Sequence, residues 1–148
     1  VYSRIMTCSA CQTRNRIPAR HLADTGRCAE CKAALGPIAE PLEVDDQAFR
    51  DIVGSAKVPV LVDFWADWCG PCRMAGPELE KVAAQMGGQA IVLKVNTEEQ
   101  PELAAQYRVQ SIPNFVVLKN GRAVMQQPGV VDHRRMKGWL EQASLSGA

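Results

Sequence analysis

Downstream of about residue 42, hydrophobic positions fall into short runs of strand length that alternate with longer segments of helical spacing. The run over residues 58–66 is apolar on both faces, which predicts a buried central strand. Asn120-Gly121 is typical of a two-residue hairpin turn. Together with this turn, the pattern predicts further strands over residues 42–44, 89–96, 114–119 and 122–127.

Helices are predicted between these strands. The first begins at a cap on Asp45 or Asp46 and ends near residue 55, and the last begins at a cap on Asp132 and ends near residue 142. Two others are predicted over residues 69–86 and 99–107. Pro77 is expected to kink the former. The order of elements predicts an α/β fold, in which a mixed sheet carries helices on both faces.

The first 36 residues lack this pattern. Their main large aliphatic side chains are Ile5, Ile17, Leu22 and Leu35, too few to form a core in a module of this size. Two prolines in residues 37–41 disfavour regular structure and limit flexibility. We therefore expect a small module over residues 1–36, a linker over 37–41 and a larger domain over 42–148.

Four cysteines lie in the small module, as Cys8-x-x-Cys11 and Cys28-x-x-Cys31. This spacing is typical of a structural zinc site, in which four thiolates saturate one Zn²⁺ and add folding energy. Two disulfides are the first alternative, disfavoured if the protein is cytoplasmic, and a four-cysteine iron centre is the second. Metal-bound thiolates remain oxidisable, so the module is either structural or redox-sensitive.

Charge differs between the two parts. The first 36 residues carry six Lys or Arg against two acidic residues, whereas the remainder carries eleven basic and fourteen acidic residues. A basic module can indicate nucleic-acid binding. However, a site of four thiolates and Zn²⁺ reduces the module's net charge to about +2, and no aromatic residue lies between Cys8 and Cys31 for base stacking. We therefore favour a solvated surface and do not expect nucleic acid as a partner.

The remaining cysteines, Cys69 and Cys72, lie where the buried strand ends and a helix begins. A helix N-terminus stabilises a thiolate, the nucleophile of disulfide exchange. We expect Cys69 to be exposed and to attack, and Cys72 to be more buried and to resolve the mixed disulfide. The alternative is that Cys69 and Cys72 are ligands of a second metal ion, but the sequence offers no further Cys-x-x-Cys or His-rich segment to complete such a site.

The segment Trp65-Ala-Asp-Trp-Cys-Gly-Pro-Cys72 resembles the active-site signature of the thioredoxin family. The upstream cysteines resemble those of its zinc-binding, two-module bacterial members. The resemblance runs from about residue 42 to the C-terminus, and it implies a five-stranded mixed sheet with four helices. It also implies a protein-disulfide reductase whose partners are a thioredoxin reductase and disulfide-containing client proteins. No nucleotide-binding fingerprint occurs, so we expect neither nucleotide nor flavin on this chain.

The resemblance assigns roles to individual residues. The strand pattern predicts that Asp63 is buried, and burial would raise its pKa. The resemblance implies that Asp63 is the proton acceptor for Cys72, with Lys94 nearby. The alternative is that Asp63 and Lys94 form a solvent-facing pair on an edge strand. Sequence alone favours a trans Pro113 at a strand start, whereas the resemblance implies a cis peptide packed against the dithiol. It also implies a docking face for substrates that includes Trp68, Gly70, Pro71, Ile112, Pro113 and Gly129.

Several expectations concern the compartment and rival functions. No apolar run approaches the roughly 20 residues that span a bilayer. The N-terminus lacks the apolar region of a signal peptide, so we expect a cytoplasmic protein. Met6 would make a natural start, which leaves residues 1–5 as vector-derived or upstream sequence. Rival readings are a disulfide oxidase or isomerase, and an adaptor in which the zinc module is primary.

Overall fold

Two small hairpins form the N-terminal part of the computed structural model, which describes residues 1–145. Strands β1 (Ser3–Thr7) and β2 (Arg14–Pro18) pair antiparallel, as do β3 (Gly26–Arg27) and β4 (Ala34–Leu35), and a 3₁₀ turn over Ala19–His21 follows β2. One Cys-x-x-Cys segment forms the loop of each hairpin. The two loops therefore present their cysteines from equivalent positions.

A five-stranded mixed sheet forms the larger part. Its strands are β5 (Leu42–Glu43), β6 (Val60–Trp65), β7 (Ile91–Asn96), β8 (Asn114–Lys119) and β9 (Arg122–Pro128). They lie in the order β5-β7-β6-β8-β9, with β5, β7 and β6 parallel, β8 antiparallel to β6 and β9 antiparallel to β8. The central position predicted for β6 is confirmed.

Four helices cover the two faces of this sheet, as the resemblance implied. They are α1 (Asp46–Ser55), α2 (Gly70–Gln85), α3 (Pro101–Gln106) and α4 (His133–Leu145). Asp45 caps α1, because its side chain accepts a hydrogen bond from the backbone N–H of Ala48 at 2.8 Å. None of the helices in the described part of the chain is long and apolar enough to cross a bilayer.

Side-chain alternation along β6 divides the core into two layers. Val62 and Phe64 face α1 and α3 in one buried cluster, whereas Leu61 packs in a second cluster with α2 and α4. Asp63 is two residues from Leu61, so it lies on the α2 side of the sheet. This alternation places one carboxyl group beneath the first turn of α2.

The two parts of the chain share a core. Leu22 and Ile38 belong to the same buried cluster as Phe49 and Ile52 of α1. The backbone N–H of Ile38 also donates to the carbonyl of Leu22 at 2.9 Å. Residues 37–41 contain neither helix nor strand. They nevertheless pack against the larger part, because the side chain of Ile38 is buried in its core.

Observed element bounds depart from the predicted ones at a few ends. Helix α4 continues to Leu145, three residues past its predicted end, and buries Ala143 in its last turns. Helix α2 continues through Pro77, and the kink expected there stays a prediction. The predicted end of the larger domain at residue 148 lies outside the described residues.

Candidate dithiol and metal sites

Cys69 and Cys72 form a disulfide at the N-terminus of α2, with their Cα atoms 5.3 Å apart. Cys69 is the capping residue of the helix, and its Sγ accepts a hydrogen bond from the backbone N–H of Cys72 at 3.2 Å. Pro71 fits the first turn, where its missing N–H leaves no intrahelical bond unmade. In the reduced protein the same N–H groups and the helix dipole would favour a thiolate at Cys69.

The expectation that Cys69 is exposed is wrong for this disulfide form. Its exposed fraction is 3%, against 7% for Cys72, so both sulfurs are buried. The cause is a distant segment, because the backbone carbonyl of Ile112 lies 3.7 Å from Cys69 Sγ. Ile112 thus covers the Cys69 sulfur in this form.

Asp63 is buried at the centre of the sheet, with an exposed fraction of 1%. It lies between β7 and β8, which excludes the edge-strand alternative. Its Oδ1 has no hydrogen-bond partner among the described residues. Burial raises the pKa of Asp63 to about 7, although the charge of Lys94 opposes this change. The carboxyl group can therefore gain or lose a proton near neutral pH.

A cavity of about 220 Å³ connects this carboxyl group with the dithiol. Asp63, Cys72 and Lys94 line it, and its other lining residues are Trp65, Ala66, Asp67, Arg73 and Gly76. The cavity is polar enough and large enough to admit water. Asp63 and Cys72 therefore face one cavity that has room for water between them.

Lys94 and Trp65 flank Asp63 on the sheet. Lys94 is the in-register neighbour of Asp63 on β7, and its Nζ lies 4.7 Å from the centre of the Trp65 ring. Trp65 in turn donates a hydrogen bond from Nε1 to Glu43 Oε2 at 3.2 Å. Glu43 also raises the pKa of Asp63, after burial and Lys94 as causes. Sequence reasoning missed Glu43, because its place beside Lys94 depends on the β5–β7 register.

The segment before β8 supplies one side of the predicted docking face. The Ile112–Pro113 peptide bond is cis, as the resemblance implied. The carbonyl of Pro113 accepts a hydrogen bond from the N–H of Gly129 at 2.8 Å. Gly129 has φ +90, a conformation that favours glycine, and a Cβ there would meet no atom within 4 Å. Its surface is therefore open to solvent beside Pro113.

The start of α2 supplies the other side. Trp68 is 69% exposed, and its Nε1 donates a hydrogen bond to Glu98 Oε1 at 2.6 Å. Gly70 and Pro71 are exposed next to it. Trp68 and Ile112 line a common groove of about 360 Å³, so the predicted docking residues on the two segments face one another.

The other four cysteines form a second, separate cluster. The Sγ atoms of Cys8, Cys11, Cys28 and Cys31 all lie within 4.8 Å of one another. Two of these separations are 3.5 Å, between Cys8 and Cys31, and 3.6 Å, between Cys11 and Cys28. Four sulfurs bound to zinc at ~2.3 Å in a tetrahedron would be separated by roughly 3.8 Å. The donor set and its spacing thus fit one Zn²⁺.

Both cluster loops repeat one backbone pattern. The N–H of Cys8 donates to Thr13 and that of Cys28 to Ala33, each at 2.8 Å. Gln12 and Lys32 then close the loops with φ of 66 and 67. The repeat places Cys8 and Cys28 inside and Cys11 and Cys31 at the surface.

Asn15 is a residue beside the four-cysteine cluster that sequence reasoning missed. It is buried, and its Nδ2 lies 3.5 Å from Cys28 Sγ. On β2, Asn15 lies between Arg14 and Arg16, which face outward, so strand alternation predicts that position 15 faces inward. An inward-facing position is usually apolar, whereas Asn15 is polar. That mismatch is the only sequence signal that could have identified it.

Comparison with known proteins agrees with both sites. The family model described as Thioredoxin matches residues 40–142. The model described as Thioredoxin 2, N-terminal, a zinc ribbon, matches residues 7–33. The two matches together include all six cysteines.

Individual relatives extend the match over nearly the full chain. Thioredoxin C-3 of Corynebacterium nephridii is 36% identical over 138 residues, which cover 93% of this chain and 94% of the relative. Thioredoxin 1 of a Nostoc species is 44% identical over 99 residues, which cover 67% of this chain and 92% of the relative. Among solved structures, a mutant thioredoxin from Halobacterium salinarum superposes with a TM-score of 0.68 at 33% identity, covering 74% of this chain and 96% of that one.

The matched residues, the five-stranded sheet with four helices and the disulfide at the start of α2 lead to one assignment. The chain belongs to the thioredoxin family of thiol-disulfide oxidoreductases.

Proposed function

We propose that this protein is a cytoplasmic protein-disulfide reductase in which Cys69 and Cys72 carry the exchange. The observation that carries the proposal is the cavity shared by Cys72 and the buried Asp63, next to a disulfide at a helix N-terminus. A purely structural disulfide needs no ionisable group beside it. Here the carboxyl group has a pKa of about 7, and its Oδ1 accepts no hydrogen bond from residues 1–145, so it is available for proton transfer.

The first step is attack by the reduced protein. The Cys69 thiolate forms a bond with one sulfur of the substrate disulfide, and the second substrate sulfur leaves as a thiolate and takes a proton from water. The N–H groups at the start of α2 favour the attacking thiolate, which has lost its proton before the step. The product is a mixed disulfide between Cys69 and the substrate.

The second step resolves the mixed disulfide. Asp63, ionised at this point, accepts the proton of Cys72 through the shared cavity, and Lys94 beside it offsets the buried negative charge. The Cys72 thiolate then attacks Cys69 Sγ, and the first substrate sulfur leaves. Two electrons have passed from the dithiol to the substrate, which departs reduced.

We further propose that clients bind in extended form across the docking face. The carbonyl of Ile112 lies next to Cys69 and is an acceptor for a backbone N–H of the client. Pro113 has no N–H to donate, so it leaves the sulfurs without a competing donor. Trp68, Gly70, Pro71 and Gly129 are exposed around this edge and would form the rest of the surface.

The proposal includes an electron donor and a metal. We infer that a thioredoxin reductase restores the dithiol. We also infer that one Zn²⁺ binds Cys8, Cys11, Cys28 and Cys31 as a structural ion, since all four sulfurs lie within 4.8 Å. Residues 1–36 would then fold around the metal, and residues 42–148 would carry the reaction, joined through 37–41.

Insulin-disulfide reduction coupled to thioredoxin reductase and NADPH tests the reductase assignment. We expect turnover that depends on this protein and a reduction potential in the range of reductants, near that of other thioredoxins (about −270 mV). A potential near that of disulfide oxidases or isomerases, with no insulin reduction, would overturn the proposal. Metal analysis of protein purified without chelator should give one zinc per chain.

A further inference from the structure

The two cysteine loops are alike in backbone but not in the side chain that lies behind them. Seven residues after Cys8 the chain has Asn15, whereas seven residues after Cys28 it has Leu35. Asn15 is on β2 and Leu35 on β4, the second strands of the two hairpins, and both side chains are buried. The repeat therefore contains one polar interior position and one apolar one.

Asn15 uses its side chain to join the two loops. Its Oδ1 accepts a hydrogen bond from the backbone N–H of Ala29 at 3.0 Å, and its Nδ2 donates to the carbonyl of Thr13 at 3.1 Å. Ala29 is in the second loop and Thr13 closes the first. One amide thus ties the main chains of both halves of the cluster together, with an exposed fraction of only 7%.

The same amide also points at a sulfur. Nδ2 lies 3.5 Å from Cys28 Sγ, within the range of an N–H···S hydrogen bond. Leu35, the equivalent residue of the second hairpin, has no hydrogen-bond donor in its side chain and lies in a small buried cluster with Cys8 and Cys28. Cys28 Sγ therefore has a side-chain amide donor that Leu35 cannot provide at the equivalent position.

We propose that Asn15 is a positioning residue of the metal site, which holds the two cysteine loops in register and donates a hydrogen bond to Cys28 Sγ in the metal-bound state. The inference rests on the proposed zinc site. A hydrogen bond to sulfur offsets part of the negative charge that four thiolates bring to one site, which favours the metal-bound state. It also lowers the energy of the sulfur electrons, so the sulfur becomes a weaker nucleophile. Groups of this kind commonly change metal affinity by about 10–100-fold.

The test uses the full chain with Zn²⁺ and with Co²⁺ as a spectroscopic substitute. Asn15→Leu gives the first hairpin the residue of the second, with the same number of side-chain heavy atoms and the same branching. Asn15→Ala removes the amide without adding bulk. Leu35→Ala is the matched control, because it truncates the equivalent interior position without removing a hydrogen bond to sulfur. Zinc affinity is measured by competition with a chelating dye.

We expect both Asn15 variants to bind Zn²⁺ about 10–100-fold more weakly than the native chain and more weakly than Leu35→Ala. The sulfur-to-cobalt absorption band should move to longer wavelength in the Asn15 variants and stay in place in Leu35→Ala, because only the former lose an N–H···S bond. If neither Asn15 variant retains a metal while Leu35→Ala does, the requirement for the amide is also supported.

Other results would overturn the inference. Native affinity and an unmoved cobalt band in the Asn15 variants would show that the amide does not act on the metal. Equal losses of affinity in all three variants would show that the module only needs a filled interior. If the native chain itself binds no zinc, the proposed zinc site fails, and that result is distinguishable from both of the others.

Discussion

The protein contains the same Cys-x-x-Cys spacing three times, in two environments that lead to different chemistry. At residues 69 and 72, two cysteines lie at a helix N-terminus beside a cavity and a buried carboxyl group, whose Oδ1 has no hydrogen-bond partner in the described part of the chain. In the four-cysteine cluster, two loops face one another and close the site with sulfurs and backbone hydrogen bonds. Spacing brings sulfurs together in both, whereas the surroundings determine whether they exchange electrons or hold a metal.

The largest expected effect separates the two sites by their cysteines. Cys69→Ser should abolish insulin reduction, because it removes the thiol that attacks the substrate. Cys31→Ser, in the exposed part of the cluster, should leave the rate per folded molecule within about twofold while zinc is lost. The measurement is coupled NADPH oxidation with metal analysis, and equal loss of turnover in both variants would remove the distinction between the sites.

Asp63→Asn tests the difference between the two sites, because it removes the buried carboxyl group that lies beside the dithiol and not beside the four-cysteine cluster. Without a proton acceptor, resolution by Cys72 should slow by about 10²–10⁴-fold near neutral pH. The mixed disulfide should accumulate, and rapid-quench kinetics with a disulfide substrate would show it. A native resolution rate in this variant would mean that Asp63 takes no part in the proton transfer.

Asp63→Asn should also change how the free energy of unfolding depends on pH. Asp63 keeps its proton in the folded protein up to about pH 7, while in the unfolded chain it ionises from its ordinary pKa of 3.8. The contribution of Asp63 to the free energy of unfolding should therefore fall as pH rises through this window, by about 4 kcal/mol in total. Asp63→Asn should remove this fall and stabilise the protein above pH 7.

Chemical denaturation at pH 4 and pH 8 measures this effect. Glu102→Gln is the control, since Glu102 is an exposed carboxylate on α3, on the opposite face of the sheet. An unchanged pH dependence in Asp63→Asn would contradict the raised pKa of the buried carboxyl group.

Removal of the metal tests how far the two regions depend on one another. Leu22 is buried in the core that α1 covers, so loosening of residues 1–36 should cost roughly 1.5–3 kcal/mol for each such side chain that leaves the core. A chain that begins at Glu40 should be less stable for the same reason. It should nonetheless retain turnover, because the dithiol and Asp63 are intact. Loss of turnover in the folded short chain would make the module part of the active site.

The smallest expected effect concerns Glu43. Glu43→Gln keeps an acceptor for Trp65 but removes a negative charge near Lys94, so the pKa of Asp63 should decrease from about 7. Carboxyl-carbon NMR of Asp63 would detect this, and the size of the shift is limited because Glu43 is exposed to solvent. An unchanged or increased pKa would show that the charge of Glu43 does not raise the pKa of Asp63.

Local pattern was enough to predict most of the fold. The central strand and the burial of Asp63 followed from an apolar run on both faces. Residue type limited the cap of α1 to Asp45 or Asp46, and the structure shows Asp45. The cis bond at Pro113 followed only from the family resemblance, because sequence alone favours trans. Cysteine spacing was enough to locate both cysteine sites, because each Cys-x-x-Cys segment brings two sulfurs onto one turn.

Contacts between distant segments could not be predicted in this way. Cys69 is covered by the carbonyl of Ile112, 43 residues away, so the expectation of an exposed sulfur was wrong. Ile38 looked like part of a linker because its burial depends on α1. Asn15 acts across two loops that pair only when the module folds. Each case depends on tertiary packing that no local window contains.

Capture of the mixed disulfide tests the central claim most directly. Reduced Cys72→Ser protein is mixed with a disulfide substrate, and the linked peptides are located by mass spectrometry, with Cys69→Ser treated in parallel. We predict substrate on Cys69 in the first variant, none on Cys72 in the second, and none on the four cluster cysteines in either. Substrate on Cys72 of Cys69→Ser, with none on Cys69 of Cys72→Ser, would contradict the assignment of the attacking thiol.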